Sequence, residues 1–320
     1  FFTGNPLEPV NQRLRTLQRG YLPIIKYDVV RDSVVYHFRL FAADLGGAMQ
    51  GIPVNFAEVE IRNDSAEPRT AFLSTGFRVA APNTGFGSLP DYRFSQRFEL
   101  IPKRYVDGQT GVNTAWRYHF HSNTLCRDGR ILYSFPDGAW QQSLALGDRG
   151  FRMVRFFSGE IEGNSNPKLP VNPQTPMGVN TWRIPLKPHE IRKLEFKMPL
   201  APIPADSPEA QQIINANPSE ITKQIITQWD DLVVKNTPLR FPEQKVQQYL
   251  IANTIVNLLA MDKVGDDYIV NVNKFQYHDP YGGANVVNMI TGYEYMKLFV
   301  IARRSLLYHH KVQYEDGSFH

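Results

Sequence analysis

With 320 residues, 42% of them apolar, the chain is long enough for more than one core, since single cores stop growing near ~250 to 300 residues. Lys and Arg exceed Asp and Glu by 35 to 31, a net charge of +4 scattered without a basic run that could track a phosphate backbone, which argues against nucleic acid as a partner. The single cysteine, Cys126, rules out an intrachain disulfide or a thiolate metal cluster, and no run of ~18 apolar residues predicts a transmembrane helix. Phe1 and the polar Gly-Ser-Phe-His end are expected to be trimmed termini, so a secreted or periplasmic location stays open.

Residues 24–200 are predicted to be β structure. Ala71, Leu73, Thr75, Phe77 and Val79 alternate with Phe72, Ser74, Gly76 and Arg78, the period-2 pattern of a strand with two different faces. Ala57, Val59 and Ile61 interleave with Glu58, Glu60 and Arg62; Trp116, Tyr118 and Phe120 with Arg117, His119 and His121; Leu194, Phe196 and Met198 with Glu195 and Lys197. Asn63-Asp64-Ser65, Asp107-Gly108, Asp128-Gly129 and Asp137-Gly138 offer turn chemistry between the runs. Together these predict an antiparallel sandwich. Residues 159–180, rich in Gly, Asn and Pro, are expected to form a surface loop, and Pro199, Pro202, Pro204 and Pro208 to break any strand at a domain boundary.

Beyond that boundary the period changes. Asn217-Pro218 caps a helix carrying Ile221, Ile225, Trp229 and Leu232 on one face, a linker helix of about four or five turns. Pro242-Glu243 is predicted to open the next helix with an acid in its first turn. Its buried stripe is expected to be Val246, Tyr249, Leu250, Ala252, Ile255, Val256 and Leu259. Gly265-Asp266-Asp267 turns into an extended piece, Tyr268 to Lys274. Val286, Met289, Ile290 and Tyr293 mark another helix, and Leu298 to Gln313 a third with Arg303, Arg304 and Lys311 on its polar side.

A β-rich domain, a proline-punctuated linker and paired helices, in that order, resemble the six-hairpin glycosidases of glucoamylase-like and glycan phosphorylase architecture. The residues carrying the likeness are Val54 to Asn63, Trp182 to Leu186, Trp229, Asn273 to Asp279, Ala302-Arg303, Gln313 and Asp316 to Phe319. The resemblance implies an α+β multidomain chain. It would hold an antiparallel β-sandwich over residues 1–200, a linker with its helix over 201–240, and the first helices of an (α/α)6 barrel over 241–320. Two departures stand out. The Arg-Asp pair that many relatives place before the second toroid helix is replaced by His278-Asp279-Pro280-Tyr281, and Lys297 stands where relatives often have glycine.

The activity implied is that of a carbohydrate-active enzyme, a glycoside hydrolase acting on oligo- or polysaccharide through two carboxyls, one protonating the leaving oxygen and one activating water or attacking the sugar. In the family both acids come from later toroid loops, so they are expected beyond residue 320 and no catalytic residue is named. Alternatives are a glycan phosphorylase and a noncatalytic carbohydrate-binding or structural protein. No cofactor is expected. The partners are the saccharide and the remainder of the toroid, whose absence should leave a large apolar surface on residues 243–313.

The candidate substrate-binding residues are Gln276, Tyr277, His278, Asp279 and Tyr281, which combine amide, carboxylate and aromatic groups suited to sugar hydroxyls and C–H faces. The same residues also suit a packed core with His278 and Asp279 capping the next helix. His119 and His121 alternate on a strand, yet lack a carboxylate or third histidine at metal spacing and read as a solvated sheet face. His309 and His310 diverge by roughly 100° on a helix and read as surface residues. Gly46-Gly47 and Gly85-Phe86-Gly87 lack phosphate-loop surroundings, and Cys126 reads as a packed small residue.

Overall fold

The computed structural model describes residues 1–10, 12, 14–78, 118–147, 175–270 and 284–318. Val79, Gly85-Phe86-Gly87, Asp107-Gly108, Trp116, Arg117 and residues 159–174 lie outside them. The chain divides into two compact units, residues 1–15 with 25–221 and residues 16–24 with 222–320. The class is α+β, with antiparallel sheets followed by helices.

In chain order the first strands are β1 (Phe2–Thr3), β2 (Glu8–Pro9), β3 (Thr16–Gln18), β4 (Leu22–Arg31), β5 (Val34–Ala43), β6 (Val54–Asn63) and β7 (Arg69–Arg78). They are followed by β8 (Tyr118–His121), β9 (Thr124–Arg127), β10 (Arg130–Ser134), β11 (Gln141–Gly147), β12 (Thr175–Leu186), β13 (Ile191–Pro199) and β14 (Ile203–Pro204). β3 and the first three residues of β4 belong to the second unit. In the first unit one sheet runs β11-β12-β7-β1-β2, and a larger one runs β4-β5-β6-β13-β10-β9-β8 with β14 also paired to β10. Tyr36, Phe38, Val59, Ile61, Leu125 and Phe196 from the larger sheet share one core with Ala71, Leu73, Trp182 and Leu186 from the smaller, which makes the unit a β-sandwich. The predicted turn at Asn63 is present, its side-chain oxygen accepting from the Ser65 amide at 3.0 Å.

Several strand positions depart from simple alternation. Residues 175–180, expected in a loop, are the first half of β12, paired with β7 from Met177↔Arg78 to Leu186↔Arg69. Ser74 and Thr75 are both buried, because each finds a hydroxyl partner: Ser74 with Thr181 and Thr75 with Tyr133, both at 2.6 Å. The Tyr133 phenol also accepts from Asn180 at 2.6 Å, and complete burial pushes its pKa well above the ordinary tyrosine value. Glu58, on the polar face of β6, is buried as well. Arg39 directly opposite on β5 and Lys193 on β13 both form ion pairs with its carboxylate, and Lys193 also reaches Glu195 at 3.1 Å. Along β13 the expected order inverts at the end, Lys197 being buried and Met198 exposed.

The inversion has a cause that the prolines conceal. Residues Pro208–Asn215 form a helix, α1, where only strand breaking was expected. Ser207 caps it by accepting from the Ala210 amide at 3.2 Å, with Pro208 in the first turn and Glu209 behind it. Ala210 and Ile213 are fully buried, and α1 packs on β13 and on the short turn Gly47–Met49. The outer face of the larger sheet is therefore covered at that end, and Lys197 is enclosed beneath the helix. Ile203 of β14 pairs with Ile131 despite the neighbouring prolines, as an edge position allows.

The second unit contains most of α2 (Pro218–Trp229), then α3 (Gln244–Ala260), a ribbon of β15 (Asp262–Val264) and β16 (Asp267–Ile269), α4 (Ala284–Tyr295) and α5 (Phe299–Val312). The Asn217 side chain accepts from the Ser219 amide at 3.0 Å, and Ile221, Ile225 and Trp229 are buried, as predicted for α2. A wider π turn, Asp230–Val234, follows; Asp230 accepts from Arg19 at 2.9 Å and Tyr21 at 3.1 Å, which ties residues 16–24 to this unit. Glu243 precedes α3 rather than lying in its first turn. The buried side of α3 is Ile251, Thr254, Ile255 and Leu258; of the expected stripe only Ile255 is buried, and Val246, Tyr249, Val256 and Leu259 are exposed. Because α3 carries apolar residues on every side, its periodicity cannot select the face that packs. Val287 and Tyr295 on α4 and Phe299, Val300 and Leu306 on α5 are exposed too, so all three helices leave apolar side chains uncovered. Among the described residues no helix is long and apolar enough to cross a membrane.

Strand β15 was not expected, and its pairing Val264↔Asp267 closes the turn at Gly265-Asp266. His309 is buried, with its ring nitrogen Nδ1 2.9 Å from the Ser305 carbonyl one turn earlier, whereas His310 is exposed. The side chain of Asp267 is nearly enclosed, paired with Lys311 and 3.6 Å from Arg304, and this joins the ribbon to α5. The hydrogen bond from Lys311 holds the Asp267 carboxyl below the usual aspartate range. A depressed carboxylate contributes stability that is present above its unfolded value of about 3.9 and lost as pH falls through the folded value. We expect the helical unit to lose stability below about pH 4, and Asp267→Asn to remove that part of the acid dependence. Urea midpoints followed by helical circular dichroism between pH 3 and 7 check this; an unchanged pH slope in the variant contradicts it.

Candidate functional site

Gln276, Tyr277, His278, Asp279 and Tyr281 all lie outside the described residues. Helix α3, earlier in the chain, and helix α4, later in it, form a groove of about 380 Å³ between them. From α3 come Asn253, Thr254 and Asn257, with the two amides one helical turn apart on one face. From α4 come Asn288, Met289, Gly292, Tyr293 and Tyr295, with Met296 just beyond its end. Among the described residues no charged side chain lines the groove.

Each contribution has a local reason. Thr254 keeps its hydroxyl on its own helix, donating to the Leu250 carbonyl at 2.9 Å, and so presents its methyl group to the packing. Asn253, Asn257 and Asn288 occupy helix interiors, where asparagine costs several tenths of a kcal/mol relative to alanine. Gly292 also lies inside a helix, and a Cβ added there would meet nothing within 4 Å. Its bare backbone is not required by packing among the described residues, and it lines the groove with no side chain. Tyr293 is 2% exposed, and burial pushes its phenol pKa well above the ordinary value. The Tyr295 ring is exposed.

The connection from α4 to α5 explains the Lys297 departure. The Leu298 amide donates to the Tyr293 carbonyl at 2.8 Å and the Lys297 amide to Glu294 at 2.9 Å, a Schellman end with Lys297 at φ 58°. That left-handed conformation favours glycine, the residue the family resemblance expects. Lys297→Gly is predicted to raise stability by about 0.5 to 1 kcal/mol, the relief of left-handed strain exceeding the added freedom of the unfolded chain. A urea midpoint that falls in the variant would contradict this.

Chemically, the groove offers amide donors and acceptors beside aromatic and thioether surface, a lining that suits an uncharged polyhydroxylated ligand. Among the described residues it does not contain the facing carboxyl pair needed for glycoside cleavage. The acid Asp267, on the ribbon, is committed to Lys311 and Arg304 of α5. Among the described residues no group of three or more His, Cys, Asp or Glu is placed to hold a metal ion; His121 is exposed and His119 half-buried. The groove residues carry no sequence motif. The signal that could have found them is the cluster of helix-interior asparagines with a glycine, each locally unfavourable and so in need of another reason.

No protein-family model matches the chain, and no curated protein matches it. Among solved structures it is similar to one described as "Putative kojibiose phosphorylase from human microbiome", at 4% identity and a TM-score of 0.37 over 72% of this chain and 26% of that one. The chain thus spans about a quarter of that protein's length, and a likeness of this size is too loose to assign a fold family or an activity.

Proposed function

We propose that this chain is part of a carbohydrate-active enzyme, a glycoside hydrolase acting on oligo- or polysaccharide by the two-carboxylate route, and that the α3–α4 groove with residues 276–281 contributes to substrate binding. The observation that carries the reading is the lining of the groove: among the described residues it has three asparagine amides, tyrosine rings and no charged side chain. Neutral sugars are held by such groups, because rings cover C–H faces while amides pair with hydroxyls. The order of an antiparallel sandwich followed by helices, and the family resemblance in the sequence, support it. On this reading the two acids belong to later toroid loops.

The test is the gene's complete product incubated with a panel of α- and β-linked oligosaccharides, in phosphate-free buffer and in phosphate. Release of reducing sugar without phosphate supports the hydrolase. Sugar 1-phosphate formed only when phosphate is present replaces it with the phosphorylase alternative, in which phosphate takes the place of water. Turnover of no saccharide in either buffer overturns the enzyme reading.

A further inference from the structure

In the first unit, a cleft of about 560 Å³ opens on the outer face of the larger sheet beside α1, a volume within the ~300 to 1,000 Å³ range of small-molecule sites. Lys193, Glu195 and Lys197 line it from alternate positions of β13, and Ser134, Asn123 and Gln211 add hydroxyl and amide groups. His121 and Asp137 line it as well. The two lysines differ in what they already hold. Lys193 is committed to Glu58 and Glu195. Lys197 is 8% exposed, and its amine donates to the Ile214 carbonyl at 2.5 Å, in the last turn of α1, where the helix dipole favours a cation.

An ammonium has three donors, and the Ile214 carbonyl takes one. Burial lowers the pKa of this amine and the charge of the neighbouring Glu195 opposes that shift, while the described residues give it no second hydrogen bond. A carbonyl cap alone gives no reason for a charged side chain at an enclosed strand position, where an apolar residue of similar volume would pack without the cost of burying a charge. An anionic oxygen arriving in the cleft can accept from the two remaining donors. The surrounding hydroxyls and amides fit neutral hydroxyl groups, and the Glu195 and Asp137 carboxylates accept hydrogen bonds from them.

We propose that this cleft binds a small polyhydroxylated anion, a sugar acid or a sugar phosphate, whose anionic oxygens accept from Lys197 while its hydroxyls meet Asn123, Ser134 and Gln211. The site is independent of the α3–α4 groove. It is tested by titrating the unaltered protein and Lys197→Met with glucuronate, glucose 6-phosphate, glucose and inorganic phosphate, by calorimetry. Glucuronate or glucose 6-phosphate should bind at least about tenfold more tightly than glucose, a preference that Lys197→Met loses. Which of the two binds distinguishes carboxylate from phosphate. Should the variant not fold, selective labelling of lysine side chains in the unaltered protein replaces it, and the Lys197 resonances should shift on adding the favoured anion.

Equal binding of glucose and the anions, equal binding by Lys197→Met, or Lys197 resonances that stay in place would overturn the proposal. Inorganic phosphate binding as tightly as glucose 6-phosphate, with glucuronate not bound, would also overturn it by reducing the cleft to a bare anion site. Gly292→Leu, which alters the groove, should leave this binding unchanged, so failure of one site is distinguishable from failure of the other.

Discussion

Replacing Trp182 by alanine is expected to lower the stability of the sandwich by about 3 to 5 kcal/mol, a large share of the ~5 to 15 kcal/mol available to a folded domain. Trp182 lies on β12 of the smaller sheet, 2% exposed, and its ring meets Phe196 of the larger sheet edge-on at 5.2 Å and Phe135 at 6.2 Å. Phe196 in turn contacts Phe1 at 5.4 Å, and Phe1 contacts Phe38 at 5.2 Å, so one aromatic chain runs between the sheets. The Trp182 indole N–H also donates to the Asp137 carbonyl at 3.3 Å, which alanine leaves unpaired. Two rigid sheets cannot collapse into so large a void, so the cavity cost adds to the lost transfer energy. The urea midpoint of the transition that reports strand structure should drop with an unchanged slope; a loss under about 1 kcal/mol would show that the sheets do not share this core.

Glu58→Gln should be the second largest loss, about 2 kcal/mol. Removing one partner of a fully buried pair costs about 3 to 5 kcal/mol, because the remaining charge is stranded. Here the carboxylate is enclosed, but Arg39 and Lys193 keep 28% and 38% of their side chains in contact with solvent, so both cations can be rehydrated and the effect is reduced. Glutamine preserves shape while its amide N–H₂ faces two cations that need acceptors. Double-mutant cycles with Arg39→Met and Lys193→Met measure the coupling. Additive effects would mean that the three groups are neighbours without being a network.

Glu58 also shows where the sequence is legible and where it is not. Alternation along β6, β7 and β13 identified strands correctly, because a sheet with one face on a core must repeat every second residue. It could not show that Glu58 and Lys197 are buried on the opposite face. That depends on cross-strand partners and on α1, which are set by tertiary packing. Helix α1 itself had a readable start in Ser207-Pro208-Glu209, but proline reads equally as a strand breaker and as a first-turn residue. In α3 the apolar residues surround the axis, so Val256 and Leu259 read as core and prove exposed, while Ile251 and Leu258 pack. His309 read as surface because adjacent histidines diverge, yet it shares the buried side of α5 with Ala302 and Ser305, at i−7 and i−4. For the site, aromatic and acidic residues at 276–281 attracted attention by chemical type. The groove is built from asparagines and a glycine whose significance lies only in their common location.

The groove claim is tested most directly by calorimetric titration of uncharged oligosaccharides, maltotriose among them, into the gene's complete product and into its Gly292→Leu variant. A Gly292→Ala control should be about 1 kcal/mol more stable than the unaltered protein, since alanine favours the helix and the space is open. The account predicts saccharide binding by the unaltered protein and by the alanine control, and a loss of at least about tenfold in the leucine variant at an unreduced unfolding midpoint. Binding of no uncharged saccharide, or equal binding with leucine filling the groove, would contradict it.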